Sequence, residues 1–375
     1  MPPRRRLFRP LWIILALLAY VGCRLLPALS LGTAGTAAAA ALLLGAGLLV
    51  PRSIRRGGAL GWIALIALGF FSTLFVTTLL RDVLLIGARL AVSGARYQTL
   101  LGPSALGTLL TSVAVSAVGF VIARRPRIVH VDIPIARLPQ ALHGFSITQI
   151  SDVHVGPTIR RDFVERLVGR VNGLRADLIA VTGDLVDGSV QQLAAHTAPL
   201  SKLSARHGAY FVTGNHEYYS GEAAWTREIR RLGLTVLKNQ HVVLHHDGAS
   251  LVVAGVDDFA AHHYDPAQRS DPAAAMEGAP LDAGAKILLA HQPGTAQAAA
   301  SAGYDVQISG HTHGGQFWPW NLFVRFFQPF TAGLHRVKNL WVYVSRGTGY
   351  WGPPNRFGVP AEITRIRLVP AAALS

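Results

Sequence analysis

The hydrophobic positions of this chain follow two different patterns, which meet near residue 126. Before that point, four apolar stretches run almost without polar interruption, over residues 11–26, 31–50, 59–80 and 106–123. Each is close to the roughly 17–25 residues that a helix needs to cross a bilayer. After that point, short apolar runs alternate with amphipathic segments, as in strands and helices around a buried sheet. These patterns predict a membrane anchor of about four transmembrane helices over residues 1–126 and an α/β domain over residues 127–370.

A fifth apolar segment leaves the number of spans open. Residues 83–95 are largely apolar but short for a span, and Arg89 lies near their middle. One interpretation of this segment is an interfacial helix, and the other is a further membrane span. A crossing here would reverse the side of the membrane on which the α/β domain lies.

The positive charge of the chain is concentrated around the apolar stretches. Of the net charge of +15, fourteen arginines and a single acid, Asp82, place +13 before residue 128 and leave +2 after it. Arginine-rich flanks of membrane spans stay in the cytoplasm. We therefore predict a multi-pass integral protein of the cell membrane, with its α/β domain on the cytoplasmic face. A nucleic-acid partner is not expected because the polar part is nearly neutral, and no feature indicates an obligate protein partner.

Strands and helices alternate in the polar part. The apolar runs "FSITQI", "LIAVT" and "AYFVT" are each followed by a segment with helical spacing, which indicates βαβ units. Further on, "HVVLHHDGASLVVAGV" reads as a hairpin that turns at Asp247 and Gly248. The mixture of βαβ units and hairpins predicts a two-sheet α/β core with helices outside it.

Polar clusters follow five of these strands. They read "SDVH", "TGD", "TGNHE", "LAHQP" and "SGHTH". Because sites in α/β proteins form at the carboxyl ends of strands, we expect the clusters to converge. In extended chain, the two histidines of "HTH" would share one face. Oxygen and imidazole ligands without thiolate favour Mn²⁺, Fe or Zn²⁺, and their number suits two ions that share a carboxylate.

At these residues the chain resembles the calcineurin-like metallophosphoesterase superfamily. The motifs "SDVHVG", "TGDLVDG", "TGNHE", "LAHQP" and "SGHTHGGQ" occur in the family's order, and the resemblance covers about residues 128–368. The layout is similar to that of membrane-anchored bacterial members, whose catalytic domain follows several N-terminal spans. The resemblance implies a four-layer αββα fold with a two-sheet β-sandwich core. It also implies hydrolysis of a phosphoric ester or anhydride by metal-activated water.

The resemblance assigns a role to each polar residue. It implies a first ion bound by Asp152, His154 and His313, a second bound by Asn215, His291 and His311, and Asp184 as the bridge between them. His216 matches the family's acid or transition-state histidine. The cofactor expected is a pair of divalent ions, Mn²⁺ first, with Fe or Zn²⁺ as alternatives.

Four other polar residues have two readings each. Asp187 either supports a ligand or forms a turn, and Glu217 either orients His216 or Asn215 or begins the next segment. Arg346 and Arg356 either bind substrate phosphate oxygens or form structural salt bridges.

The sequence motifs do not identify the substrate. The subgroup includes enzymes resembling the UDP-2,3-diacylglucosamine hydrolases of lipid A biosynthesis. We therefore expect cleavage of a phosphodiester or pyrophosphate bond in a lipid-linked substrate. The alternatives are a phosphodiesterase or phosphatase acting on envelope polymers or nucleotides, and a metal-binding membrane scaffold without catalysis.

The stretch "FWPWNLFVRFFQPF" at residues 317–330 has more aromatic residues than an ordinary loop. It forms either an apolar lip at the mouth of the site, in contact with the bilayer or a lipid tail, or a small satellite core.

Overall fold

A computed structural model describes residues 8–56 and 58–371. The contacts divide the chain into two units, one running to Val121 and including Gly352–Asn355, the other comprising Ile122–Trp351 and the chain from Arg356 onward. The division lies five residues before the predicted boundary at residues 126 and 127. The N-terminal arginines Arg4, Arg5 and Arg6, which contributed to the predicted orientation, lie outside the described residues.

The N-terminal unit is helical, as its apolar pattern predicts. Its helices are α1 (Phe8–Leu25), α2 (Gly32–Arg56), α3 (Gly58–Ala91) and α4 (Gly94–Ala123). Among the described residues, α3 and α4 are long and apolar enough to cross a membrane, while Trp12–Leu25 and Gly32–Gly45 are shorter apolar helices. The count of four spans stays a prediction.

The interpretation of residues 83–95 as a separate interfacial helix is wrong. These residues form the last turns of α3 and the start of α4. Helix α3 continues through Asp82 because that carboxylate has partners: Arg24 donates to it through Nε at 2.8 Å, and the Tyr20 hydroxyl donates at 2.6 Å. Paired polar groups of this kind are tolerated within an apolar helix bundle.

The C-terminal unit contains two six-stranded sheets. In the first, the strand order is β1–β12–β2–β3–β4–β5, and only the β12–β2 pair is antiparallel. Its strands are β1 (Arg127–Ile135), β2 (Ser146–Ile150), β3 (Leu178–Thr182), β4 (Ala209–Val212), β5 (Thr235–Val236) and β12 (Glu362–Pro370).

In the second sheet the order is β10–β11–β9–β8–β7–β6, with parallel pairing in the centre and antiparallel hairpins at both edges. Its strands are β6 (Gln240–His246), β7 (Ala249–Gly255), β8 (Lys286–Leu289), β9 (Val306–Ser309), β10 (Gly333–Val337) and β11 (Leu340–Val344). The predicted hairpin of β6 and β7 is confirmed. Its turn residues Asp247 and Gly248 both have positive φ angles, as a two-residue type I′ turn requires.

The two sheets pack face to face, and helices cover their outer faces. One core cluster joins residues of both sheets, such as Ile147 and Leu289. The other two clusters lie between a sheet and its helices. The helices are α5 (Arg161–Gly173), α6 (Val190–Thr197), α7 (Asn215–Ser220), α8 (Glu222–Arg231), α9 (Pro272–Met276) and α10 (Ala296–Ser301). This confirms the predicted two-sheet α/β core with flanking helices. Strands β2, β3 and β4 are buried along their whole length, which is why they read as continuous apolar runs.

Candidate metal centre

Five parallel strands end at the same edge of the two-layer core, and each delivers polar side chains there. Three belong to the first sheet and two to the second. Strand β2 leads to Asp152 and His154, β3 to Asp184, β4 to Asn215 and His216, β8 to His291, and β9 to His311 and His313. The convergence expected from the strand ends is therefore present.

The ligand turns are not extended chain. Positive φ angles of 49–73° occur at five of these residues: Asp152, His154, Asp184, His311 and His313. The expectation that His311 and His313 share one face of a strand is wrong, because β9 ends at Ser309 and a 3₁₀ turn begins at His313. Left-handed conformations cost non-glycine residues free energy and cluster at functional sites.

Two glycines allow the turns to approach one another. A Cβ atom at Gly183 would lie 2.7 Å from Nδ1 of His291, and one at Gly214 would lie 2.2 Å from Oδ1 of Asp184. Gly183 also has a φ angle of +81°. Any side chain at these two positions would push the ligand turns apart, which explains the "TGD" and "TGN" patterns in physical terms.

The first group of ligand atoms comes from Asp152, His154 and His313, and it overlaps a further group formed by His154, Asp184 and His216. Nε2 of His313 lies 3.0 Å from Nε2 of His154 and 3.5 Å from Oδ1 of Asp152. Nδ1 of His154 donates to Asp187 at 3.0 Å, which leaves the Nε2 lone pair directed into the group.

The second group comes from Asp184, His291 and His311, with Asn215 beside them. Nε2 of His291 lies 3.1 Å from Oδ2 of Asp184 and 3.3 Å from Nδ1 of His311. The amide oxygen of Asn215 is 3.1 Å from the same Nδ1. Nδ1 of His291 donates to the Thr182 carbonyl at 2.8 Å, so its Nε2 lone pair is free to bind an ion.

These two groups have the chemistry of divalent cation sites. Ligand atoms about 2.0–2.2 Å from one ion lie about 3–3.5 Å apart, which matches the separations within each group. Asp152 and Asp184 are almost completely buried, and buried carboxylates need compensating positive charge. Burial acts to raise the pKa of Asp184, but the charge of His291 and the neighbouring histidines holds that pKa well below its usual range.

Asp187 is a site residue that the sequence left open. Its Oδ1 accepts hydrogen bonds from Nδ1 of His216 at 2.6 Å and from Nδ1 of His154 at 3.0 Å. One carboxylate thereby orients a residue of the first ligand group and the expected proton donor. Burial opposes ionisation of Asp187, but His154 and His216 keep its pKa below its usual value.

Glu217 was also left open, and it acts on the backbone. Its carboxylate accepts from the N–H groups of Asp184 at 3.0 Å, Leu185 at 2.8 Å and Gly214 at 2.6 Å. The side chain is buried, which raises the pKa of Glu217 to about 7. Glu217 therefore joins the turns after β3 and β4, and its hydrogen bonds go to backbone groups instead of to His216 or Asn215.

The two arginines considered for substrate binding, Arg346 and Arg356, differ in burial and in their hydrogen-bond partners. Arg356 is 0% exposed and donates to the carbonyl oxygens of His313 and Gly349 at 3.0 Å and of Arg346 at 2.6 Å. These bonds enclose the guanidinium group within the protein, so the contacts of Arg356 favour a structural role over the predicted binding of substrate phosphate. Arg346 donates to Glu362 at 3.0 Å and keeps about a third of its side chain exposed, so its substrate role stays a prediction.

Residues 145–315, which contain all of these turns, match the model of the calcineurin-like phosphoesterase family. A metallophosphoesterase of Aquifex aeolicus is 30% identical over 234 residues, which cover 62% of this chain and 87% of that protein. This chain belongs to the calcineurin-like metallophosphoesterase family. The family match therefore spans every turn that carries these candidate metal ligands.

Other relatives are longer. A Danio rerio protein named "Transmembrane protein with metallophosphoesterase domain" is 36% identical over 286 residues, which cover 74% of this chain and 64% of that protein. The chain thus spans less than two thirds of the length of that metallophosphoesterase. Among solved structures, the calcineurin-like phosphoesterase YfkN from Bacillus subtilis aligns with a TM-score of 0.36 and 15% identity, over 54% of this chain and 88% of that one.

Proposed function

We propose that this metallophosphoesterase is a membrane-anchored enzyme that uses two divalent ions to hydrolyse a phosphodiester or pyrophosphate bond. The observation that carries the proposal is the position of Asp184. Its Oδ2 lies 3.1 Å from Nε2 of His291 in the second group and 3.9 Å from Nε2 of His154 in the first. A carboxylate between two ligand groups is what a two-metal phosphoesterase requires.

The residues around the ions have distinct tasks. When bound, the two ions supply an activated water and offset the negative charge of the phosphoryl oxygens. Asn215 contributes a neutral oxygen, which limits the negative charge that an anionic substrate meets. Its amide nitrogen donates to the Tyr219 hydroxyl at 3.1 Å, so the oxygen is turned toward His311.

His216 is the residue that we propose as proton donor to the leaving oxygen. Asp187 holds the proton on Nδ1 of His216 and fixes the ring, so Nε2 is the atom that serves the substrate. That Nε2 atom lies 3.9 Å from Oδ2 of Asp184, and the side chain keeps partial access to solvent. A leaving group would therefore reach Nε2 of His216 from the solvent side.

The membrane anchor rests on three observations. Helices α3 and α4 are long and apolar enough to span, arginine is concentrated around the apolar segments, and relatives from Danio rerio and Bos taurus are named transmembrane proteins. We place the catalytic unit on the cytoplasmic face from the arginine distribution. A reporter fused after Leu368 tests this: activity of a periplasm-dependent reporter there would overturn the placement.

For the substrate we favour a lipid-linked pyrophosphate such as UDP-2,3-diacylglucosamine, because an anchored site works next to the bilayer. Water-soluble phosphodiesters are the second candidate, supported by the access of His216 to solvent. A non-catalytic scaffold is disfavoured, because a scaffold would not need both complete ligand groups together with an oriented His216.

A substrate panel assayed with Mn²⁺ tests the reaction. It contains UDP-2,3-diacylglucosamine, bis-p-nitrophenyl phosphate and a phosphate monoester. We expect turnover of the diester or pyrophosphate by the wild-type chain and none by Asp184→Ala. The matched control is Asp282→Ala, which removes an exposed acid in a loop before β8 and should leave turnover unchanged. Equal turnover by Asp184→Ala and the wild type would overturn the two-metal proposal.

A further inference from the structure

The aromatic loop, defined here as residues 317–330, presents apolar side chains to the outside. It contains two short 3₁₀ turns, Trp320–Leu322 and Val324–Phe326. Phe326 is 68% exposed and Phe327 is 82% exposed. The exposed large apolar side chains of the loop are Trp320, Leu322, Phe323, Phe326 and Phe327. The satellite-core interpretation therefore fails for most of the loop and holds only at its ends, where Phe317 is buried and Phe330 packs on a core cluster.

The aromatic loop is fastened to the turn that carries His313. Where the loop ends, the Thr312 hydroxyl donates to the carbonyl oxygen of Thr331. Where the loop begins, its backbone passes so close to Gly315 that a Cβ atom there would lie 2.3 Å from Cα of Asn321. Both ends of the loop thus meet the turn that follows β9 and carries His311 and His313.

The aromatic loop carries positive charge and no acid. Arg325 is its one charged residue, and no acid occurs between Val306 and Ala361 in the sequence. Arg325 is exposed, and its guanidinium lies over the Phe326 ring at 5.2 Å. Exposed Trp and Phe residues with a basic neighbour and no acid in the same segment are typical of surfaces that enter the interface of an anionic membrane.

We propose that the aromatic loop inserts into the anionic lipid surface and that substrate reaches the metal centre from that surface. The insertion follows from exposure and charge alone. The second part rests on the proposed function, and it specifies an amphiphilic phosphoester or pyrophosphate with an acyl chain as substrate. The acyl chain would lie along the loop while the phosphate group enters between the ligand turns.

Spin labelling tests the insertion without any need for turnover. Cys23 is the only cysteine of the chain, so Cys23→Ser allows one label at a time, at Phe327→Cys or at the control Leu281→Cys. Leu281 is 92% exposed and lies outside the aromatic loop. The full chain is reconstituted in vesicles of phosphatidylglycerol and phosphatidylcholine. Relaxation of each label is then measured with oxygen, which concentrates in lipid, and with a water-soluble nickel chelate.

We expect the label at position 327 to be relaxed more strongly by oxygen than by the chelate, and the label at position 281 to show the reverse. A label at position 327 that behaves like the one at 281 would overturn the insertion and leave a protein partner as the occupant of the surface. This result would not affect the proposed hydrolysis, which the substrate panel tests separately.

A second experiment tests the route of the substrate. The double variant Phe326→Ser/Phe327→Ser is assayed on two phosphodiesters that share a leaving group and differ only in acyl chain length. Removing two lipid-facing rings should lower kcat/KM roughly tenfold or more on the long-chain diester and leave the short-chain diester unchanged. The control Leu281→Ser should change neither. An equal loss on both diesters would contradict delivery from the lipid surface.

Discussion

The ligand turns and the aromatic loop lie next to each other at the edge of the core, and they are opposite in character. In the ligand turns, the buried carboxylates of Asp152 and Asp184 accept hydrogen bonds from backbone N–H groups of the same chain. The backbone there has left-handed conformations. In the aromatic loop, Phe326 and Phe327 lie outside the core and are exposed to solvent. The left-handed conformations of the turns cost free energy, which the buried hydrogen bonds offset. The loop exposes apolar area that only an external partner would cover.

This contrast separates two requirements of the enzyme. The ions need ligands fixed in position before binding, which the buried hydrogen bonds of Asp187 and Glu217 supply. An amphiphilic substrate needs an apolar surface that stays accessible. Changes in the turns should therefore affect chemistry and folding, whereas changes in the loop should affect the choice of substrate.

Among variants that keep both candidate ligand groups, the largest effect on turnover should come from His216→Ala. We expect kcat to fall by roughly 10²–10⁴, because the leaving oxygen loses its proton donor. The loss should be greatest for an alkoxide leaving group and smallest for p-nitrophenolate, which needs no proton. Bound metal, measured by elemental analysis, should be unchanged. Loss of metal together with activity would instead place His216 among the ligands.

A smaller effect, on stability and metal content, should follow Gly214→Ala. The added methyl group would lie 2.2 Å from Oδ1 of Asp184, so the two turns must separate. We expect the free energy of unfolding to fall by about 1–3 kcal/mol, with reduced Mn²⁺ content. The matched control is Gly169→Ala within helix α5, where a Cβ atom meets nothing within 4 Å. That change should raise stability by about 0.5–1 kcal/mol. Equal changes in the free energy of unfolding for the two variants would contradict the close approach of the turns at Gly214 and Asp184.

The smallest effect on stability should come from the aromatic loop. Phe326→Ser/Phe327→Ser removes side chains that are not packed in the core, so the free energy of unfolding in detergent should change by no more than about 0.5 kcal/mol. By contrast, Phe211→Ala in buried strand β4 should cost about 3–5 kcal/mol. A loss from the loop variant as large as the one from Phe211→Ala would mean that the loop is part of the core.

Much of this arrangement could be predicted from the sequence, because its causes are local. Buried parallel strands are continuous apolar runs, and polar clusters such as "SDVH" follow them directly, so the meeting of the strand ends follows from topology. The hairpin at Asp247 and Gly248 was predictable for the same reason, since turn geometry selects those residues.

The rest depends on contacts between distant residues. The left-handed backbone at His311 goes with the bond from its N–H group to Asp152, 159 residues earlier. Arg356 lies in a segment rich in Gly and Pro that resembles a surface loop, but its guanidinium group binds three carbonyl oxygens inside the protein. The continuation of α3 past Asp82 depends likewise on Arg24 in α1. The hydrophobic periodicity of the sequence does not predict such contacts between distant residues.

Metal binding shows whether two ions share Asp184. Chelator-treated protein is titrated with Mn²⁺ by calorimetry in the wild type, in Asp184→Ala and in His216→Ala. We predict two ions per chain in the wild type and in His216→Ala, and loss of binding at both sites in Asp184→Ala. A single ion in the wild type, or two ions retained by Asp184→Ala, would contradict the account.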